Sequence, residues 1–231
     1  MAKIIEENER MKRKYLRFLT GAKGRDVKTA NKVAAAIARF EVSTGHKPFK
    51  RFHVDQAAKF KAHLAACRNP STKKPLSHAT VDAELRMVKN FIFWLAGQAG
   101  YKSQIGYSDA DYFRNSLKSA RIAHTHRPMP YPTLIQCERA FDAMPEHCVS
   151  DLRDKAFFAF SMLAGVRIKA ASTLRLKHIN LDEGYVYQDA REVETKGGRT
   201  GKTIFYPVDV IYYDYFEKWV KHLYEVELFG P

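Results

Sequence analysis

Three prolines at alternate positions, Pro128, Pro130 and Pro132, constrain this chain more than any other feature. Each lacks a backbone donor and fixes φ near −65°, so no helix can run through them. The basic stretch Ser119 to Pro132 is therefore read as a connection. The boundaries that follow are a front region (residues 1–122), a linker (residues 123–132) and a back region (residues 133–231). With 231 residues, 45% of them hydrophobic and 13% aromatic, each region can bury a core of its own.

The front region carries the 3.6-residue period of helices. Met11 to Leu19 is basic (Lys12, Arg13, Lys14, Arg17) with apolar residues between, and Gly21 and Gly24 end it. From Val27, the positions Ala30, Ala34, Ile37 and Phe40 predict a helix stopped at Gly45. A third is predicted over Asp55 to Ala66, burying Ala57, Phe60 and Leu64. The clearest begins after Ser77, a good N-cap, with Leu76 placed to staple onto Val81. Val81, Leu85, Val88, Ile92 and Leu95 form its apolar stripe as far as Gly97, leaving Arg86 and Lys89 free to face a partner. A short helix over Asp109 to Leu117 completes an all-α region.

The back region is mixed. A helix is predicted over Thr133 to Ala143. Another follows Ser150, so apolar on every side (Leu152, Phe157, Phe158, Phe160, Leu163) that it belongs at the centre of the region. A short helix after Gly165 holds Ala170, Ala171 and Leu174. Period-two segments at Tyr185–Tyr187, Arg191–Thr195 and Lys202–Val208 predict a small three-stranded antiparallel sheet, with turns at Gly184 and at Gly197-Gly198. Past Pro207 comes an amphipathic helix bearing Ile211, Tyr215, Trp219 and Leu223.

Charge divides along the same line. Up to Arg127 there are 26 Lys and Arg against 10 Asp and Glu, a net of +16, while the remainder holds 13 against 15, a net of −2, within a total of +14. So basic a front region is the footprint of a module that grips a polyanion, although ribosomal and membrane-surface proteins share it. Cys67, Cys137 and Cys148 are odd in number and show no metal-ligand spacing, which reads as free buried thiols in a reducing compartment. No apolar run approaches the ~20 residues of a membrane span, and residues 1–10 lack the apolar core of a signal peptide. The expectation is a soluble protein of the bacterial cytoplasm, associated with the nucleoid.

Two segments carry chemistry. One is Leu163-Ala164-Gly165-Val166-Arg167-Ile168 with Leu174-Arg175-Leu176-Lys177-His178-Ile179; the other is Glu194-Thr195-Lys196-Gly197-Gly198-Arg199-Thr200-Gly201-Lys202, running on to Tyr206-Pro207-Val208. A buried helix, G-x-R, a short helix ending L-x-L, a hairpin with T-K-x-G at its turn and a strand ending x-P-V, in that order, resemble the catalytic domain of tyrosine site-specific recombinases of the phage-integrase type. Leu76 to Val81, with Val88 to Phe91 and Trp94-Leu95, is similar to the DNA-facing helix of that family's core-binding domain.

The resemblance runs from about Asp26 to Leu223. It implies an N-terminal all-α, SAM-like core-binding domain followed by a truncated α+β catalytic domain, mainly α overall. Such enzymes, carried by mobile elements, cleave one DNA strand through a 3′-phosphotyrosyl link and need neither metal nor nucleotide cofactor. Duplex DNA is the implied partner. The intact protein would act as a tetramer on DNA, an assembly weakened here by the missing C-terminal segment; neither a membrane nor a small-molecule substrate is implied. By this resemblance Arg167 is the first of two phosphate-clamping arginines, a task that suits a planar, permanently charged guanidinium. Lys196 is the general acid for the leaving oxygen. The implied DNA contacts are Lys73, Lys74, Thr80, Arg86 and Lys89. Plainer readings stand beside these: an arginine past a helix end commonly serves the dipole or solvent, Lys202 and Arg199 rival Lys196, and Lys73-Lys74 reads equally as a solvated turn.

The sequence also departs from the family. Ala170 stands where an acidic residue is usual, and no H-x-x-R box or nucleophilic tyrosine follows the hairpin before Pro231. The expectation is that these 231 residues alone do not cleave DNA. The alternative is a non-catalytic DNA-binding protein that occupies recombination sites and competes with an intact recombinase; the reading frame after Pro231 would discriminate. Three features are read as decoys. His124-Thr125-His126-Arg127 fits H-x-x-R but lies upstream of Arg167. Gly197 to Thr203 imitates a P-loop but has lysine at the first glycine position. Tyr212, Tyr213, Tyr215 and Tyr224 have the spacing of helix packing.

Overall fold

The computed structural model describes residues 5–126 and 128–228. Two compact units divide it, Met1–Pro128 and Met129–Pro231. The fold is mainly α, with one three-stranded antiparallel sheet among the described residues. None of their helices is long and apolar enough to cross a membrane.

The front unit is built from α1 (Glu6–Arg17), α2 (Val27–Ser43), α3 (Asp55–Ala66), α4 (His78–Ala96) and α5 (Leu117–His124). Asp26 caps α2 by accepting from the Thr29 N–H, and Ser77 caps α4 by accepting from that of Thr80. Helix α3 has the expected limits and buries Ala57, Phe60 and Leu64. Its neighbours close one core in which Ile37, Phe60, Val88, Phe91, Ile92 and Phe113 lose all contact with solvent. A buried polar tie locks α1 onto this core. The Asn8 amide donates to Glu41 (3.1 Å) and to the Lys47 carbonyl (3.0 Å) and accepts from the Phe49 N–H (2.9 Å). Lys12 donates to the other Glu41 oxygen at 2.6 Å. Burial works against the Lys12 charge, yet its bonds to Glu41 and Glu9 raise its pKa above the ordinary value.

The front unit departs from the sequence expectation in four places. Gly21 does not end the first helix, which continues as a π-helical turn over Phe18–Ala22; the break comes at Gly24, at φ +58°. Val27, the first residue of α2, is exposed, and the buried stripe runs Ala30, Val33, Ile37, Phe40. The helix expected over Asp109 to Leu117 is two pieces, a 3-10 helix Tyr107–Phe113 and then α5, which Ser116 caps. Helix α5 thus fills the first half of the stretch read as a connection, because the prolines act only on residues beside and before them.

In the back unit, α6 (Leu134–Asp142) starts from a reciprocal capping box between Thr133 and Gln136. Helix α7 (Val149–Ala164) packs on α9 (Val210–His222), with the short α8 (Ile168–Ala171) and the sheet between them in sequence. The sheet is β1 (Ile179–Asn180), β2 (Tyr185–Gln188) and β3 (Gly201–Ile204), in that order and antiparallel. Arg191–Thr195 is therefore no strand. The Asp189 carboxylate accepts from the Arg191 backbone N–H at 2.9 Å and turns the chain out of the sheet, and Ile179–Asn180 pairs in its place. Helix α7 is less enclosed than expected, since Phe157 is exposed. On α9 the buried stripe is Tyr212, Phe216 and Val220, one residue off the expected one. The thiols are free but not buried: Cys67 and Cys137 are half-buried and Cys148 is exposed.

Candidate functional site

Helix α7 ends at Gly165, which adopts the left-handed conformation (φ +56°) that a side chain resists. A second constraint acts at the same residue. A Cβ there would sit 3.1 Å from the Tyr206 ring, and the Tyr206 N–H donates to the Leu163 carbonyl at 2.7 Å. The strand leaving the hairpin is thereby laid against the end of α7, two residues before Arg167.

From the other side, the segment between β2 and the hairpin tip is tied down residue by residue. Glu192 accepts from His178 Nε2 at 2.9 Å and pairs with Lys177 at 2.7 Å. His178, 5% exposed, holds its tautomer because Nδ1 accepts from the Arg175 N–H at 3.0 Å. The Lys177 hydrogen bond, with that of His178 behind it, holds the Glu192 carboxyl below its usual range. Glu194 pairs with Lys169 at 3.1 Å, and its N–H donates to the Thr173 hydroxyl at 2.9 Å. These ties fasten the approach to Lys196 onto the short helix that follows Arg167.

The result is a hollow of about 570 Å³ lined by Arg167, Ala170, Gln188, Thr195, Lys196 and Arg199, with hairpin backbone closing it. Arg167 and Lys196 thus face one cavity. Among the described residues no carboxylate lines it, and none of Arg167, Lys196 and Arg199 has a salt-bridge partner. Lys202, the other rival, lies 3.5 Å from the centre of the Tyr185 ring and pairs with Glu183 at 3.4 Å, away from the hollow. Ala170 is buried and forms part of the wall. The Thr195 hydroxyl is buried without a partner among the described residues. Three cations and an unsatisfied hydroxyl around one hollow suit a tetrahedral oxyanion. Thr195 entered the sequence reading only as part of the hairpin motif, and Gln188 carried no signal, because its place depends on the hairpin register.

The tyrosines of α9 are packing residues. Burial raises the pKa of Tyr212 and pushes Tyr215 up to about 12, and the Tyr213 hydroxyl donates to the Leu181 carbonyl at 3.0 Å. Tyr224 is partly exposed. The loop imitating a P-loop joins β2 to β3 with no helix after it. Of the upstream H-x-x-R imitation, His124 ends α5 beside Asp82 (3.6 Å), while Arg127 lies outside the described residues, as do Phe229, Gly230 and Pro231. No group of His, Cys, Asp and Glu fit to hold a metal occurs among the described residues.

In the front unit, Lys73 and Lys74 project from a turn that Asn69 stabilises by accepting from the Ser71 and Thr72 N–H groups, 2.9 and 3.2 Å away. Thr80 is exposed one turn into α4, its hydroxyl 2.9 Å from that of Ser77. Arg86 is exposed about a third of a turn round the helix from Thr80 and lies in line with Asn90 and Phe93. Lys89 does not stand free as expected: its ammonium pairs with Asp111 at 2.8 Å, which holds the Asp111 carboxyl below its usual range. Lys73, Lys74, Thr80 and Arg86 are thus exposed, whereas Lys89 is engaged by Asp111.

No family model matches the chain and no curated protein matches it. Among solved structures it is similar to the integrase from mycobacterium phage Brujita, at 14% identity over 92% of this chain and 62% of that one, with a TM-score of 0.34. It is also similar to the XerA recombinase, at 14% identity over 93% of this chain and 64% of the other, with a TM-score of 0.32. The chain spans less than two thirds of the length of either.

Proposed function

We propose that this chain is the DNA-gripping and phosphate-polarising portion of a site-specific recombinase or integrase that breaks and rejoins duplex DNA through a 3′-phosphotyrosyl link. One observation carries the reading: Arg167 and Lys196, singled out by motif order alone, line the same carboxylate-free hollow. In that hollow Arg167 clamps the non-bridging oxygens of the scissile phosphate, where charge grows as the phosphorus becomes five-coordinate. Lys196 delivers a proton to the leaving 5′-oxygen, its hairpin held by the Glu192 and Glu194 ties. Arg199 adds a second cation to the same hollow. Lys73, Lys74 and Thr80 hold the duplex backbone, and Arg86 adds a further contact.

The second reading, a DNA-binding protein that occupies recombination sites without cutting, is favoured by the tyrosines. None lines the hollow among the described residues, and those of α9 sit in the core or bond to backbone. On either reading these 231 residues bind duplex DNA without forming a covalent adduct.

The test is a duplex-binding titration across salt concentrations, beside a nicked suicide substrate that traps any phosphotyrosyl link. Each phosphate neutralised steepens the plot of log affinity against log salt by about 0.9. Arg167→Ala, Lys73→Ala and Lys74→Ala are each expected to flatten that slope by about one unit, and Arg191→Ala, whose partner is Asp189, to leave it unchanged. Salt-independent binding would overturn the reading, and a covalent adduct would overturn the expected lack of cleavage.

A further inference from the structure

We propose that a groove in the front unit, between the π-helical turn, the start of α2 and the C-terminal half of α4, binds an unpaired nucleotide of a DNA strand. The proposal rests on the DNA-binding reading and goes beyond its duplex grip. The groove has a volume of about 920 Å³, in the range of built ligand sites, roughly 300–1,000 Å³. Its wall combines aromatic faces with cations. Phe93 and Tyr107 are 52% and 55% exposed and pack against each other at a tilt, with ring centres 4.9 Å apart. Phe18 and Trp94, with ring centres 6.1 Å from each other, line the same groove, half-buried at the rim of the core. Lys23, Arg25 and Arg86 line the same groove, and among the described residues none has a salt-bridge partner. No Asp or Glu among the described residues lines it.

The chemistry selects the occupant. Large aromatic faces left in water are unfavourable unless a partner covers them. The partner must be flat, to lie on a ring, and anionic, to meet three free cations. An unpaired nucleotide is both, with its base on the ring faces and its phosphate on the arginines and lysine. A paired duplex keeps its base faces stacked and offers only edges and backbone, so it leaves Phe93 and Tyr107 uncovered. Asn90, in the same wall, presents an amide donor and acceptor to a base edge. Gly97 makes the wall possible: a Cβ there would sit 3.0 Å from the Tyr107 hydroxyl oxygen, so the ring lies directly over the helix.

The experiment uses the full 231-residue chain carrying Trp219→Phe, so that Trp94 is the only tryptophan reporter. A short oligothymidylate is titrated in, with a duplex and an oligouridylate as parallel arms. Oligothymidylate is expected to quench Trp94, and Phe93→Ala to weaken its binding about 5-fold or more, the lower end of one stacked base, while leaving duplex affinity unchanged. Arg86→Ala, which touches no buried packing, is expected to flatten the salt dependence of single-strand binding. Lys74→Ala should weaken the duplex and spare the single strand. Duplex binding with no Trp94 response to oligothymidylate would sink the groove and leave the DNA-binding reading standing. Failure of both arms would sink that reading. Equal losses on both DNA arms with Phe93→Ala, or tighter binding of oligouridylate, would also overturn the assignment.

Discussion

The two units handle charge in opposite ways. The front unit carries a large positive excess and neutralises only the share that its own packing needs: Lys12 meets Glu41, Arg39 meets Glu84, Lys50 meets Glu7 and Lys89 meets Asp111. Lys23, Arg25, Lys73, Lys74 and Arg86 are left unpaired among the described residues. The back unit is nearly neutral in sum, yet its acids are placed selectively. Glu192 holds Lys177, Glu194 holds Lys169, Asp189 holds Arg191 and Glu183 holds Lys202, all around the hairpin. The three cations facing the hollow are passed over. Net charge therefore draws attention to the front unit alone, whereas in the back unit the unpaired cations show only in the local pairing pattern.

The comparison breaks most visibly if the two cores are one. Phe60 is wholly buried among Phe40 and Phe113, and Phe60→Ala is expected to cost about 3–5 kcal/mol. Hydrogen exchange should then show protection lost across α2, α3 and α4 but kept across α7 and α9, because the latter helices share a separate cluster around Phe160 and Phe216. Duplex binding should fall with the front unit. Protection lost equally from both units would contradict two separate cores.

A smaller effect sharpens the back half of the comparison. Gly165→Ala forces a side chain into left-handed backbone and against the Tyr206 ring, which is expected to cost about 1–2 kcal/mol. The Tyr206 ring is partly exposed and can turn aside, so the unit should still fold. What should change is the hairpin: amide resonances from Thr195 to Gly201 should shift, with those of α6 unmoved. A variant that loses stability without moving the hairpin would show that Gly165 only ends α7.

How much of this was legible in the sequence follows from the range of the forces involved. Asp26, Ser77 and Thr133 act on donors within three residues, so helix starts could be read directly. The limits of α3 and the cluster Ala57, Phe60, Leu64 followed from period alone. The stripe on α9 was misplaced by one residue because Ile211-Tyr215-Trp219 and Tyr212-Phe216-Val220 are equally apolar, and only packing against α7 and α6 chooses between them. Arg191–Thr195 alternates like a strand, but the Asp189 turn removes it from the ladder. For the candidate site, motif order chose Arg167 and Lys196. The ties that seat Lys196 join residues 14 and 25 apart, His178 to Glu192 and Lys169 to Glu194, and leave no local periodicity to detect. The Lys89–Asp111 pair was hidden for the same reason, since Asp111 lies outside the helix of Lys89.

The smallest effect concerns one of the acids that neutralise the back unit. The Arg191 side chain, hydrogen-bonded to Asp189, brings that carboxyl down to about 2, with the Arg191 backbone N–H adding to the effect. An unfolded aspartate titrates near 3.9. With the folded pKa the lower, the unfolded chain takes up the proton first, so the stabilisation is whole above about pH 4 and disappears as pH falls from there towards 2. Because the Arg191 side chain is exposed, salt should weaken the pair and the contribution to stability should be small. The expected observation is an Asp189 side-chain resonance that titrates near pH 2 at low salt and drifts upward as salt is added. Asp189→Asn should flatten the acid limb of the back unit's unfolding and leave the front unit's limb as it was. If Asp189 titrated at the ordinary value, the Asp189–Arg191 turn would not hold in solution, and Arg191 would join the cations free to meet a phosphate.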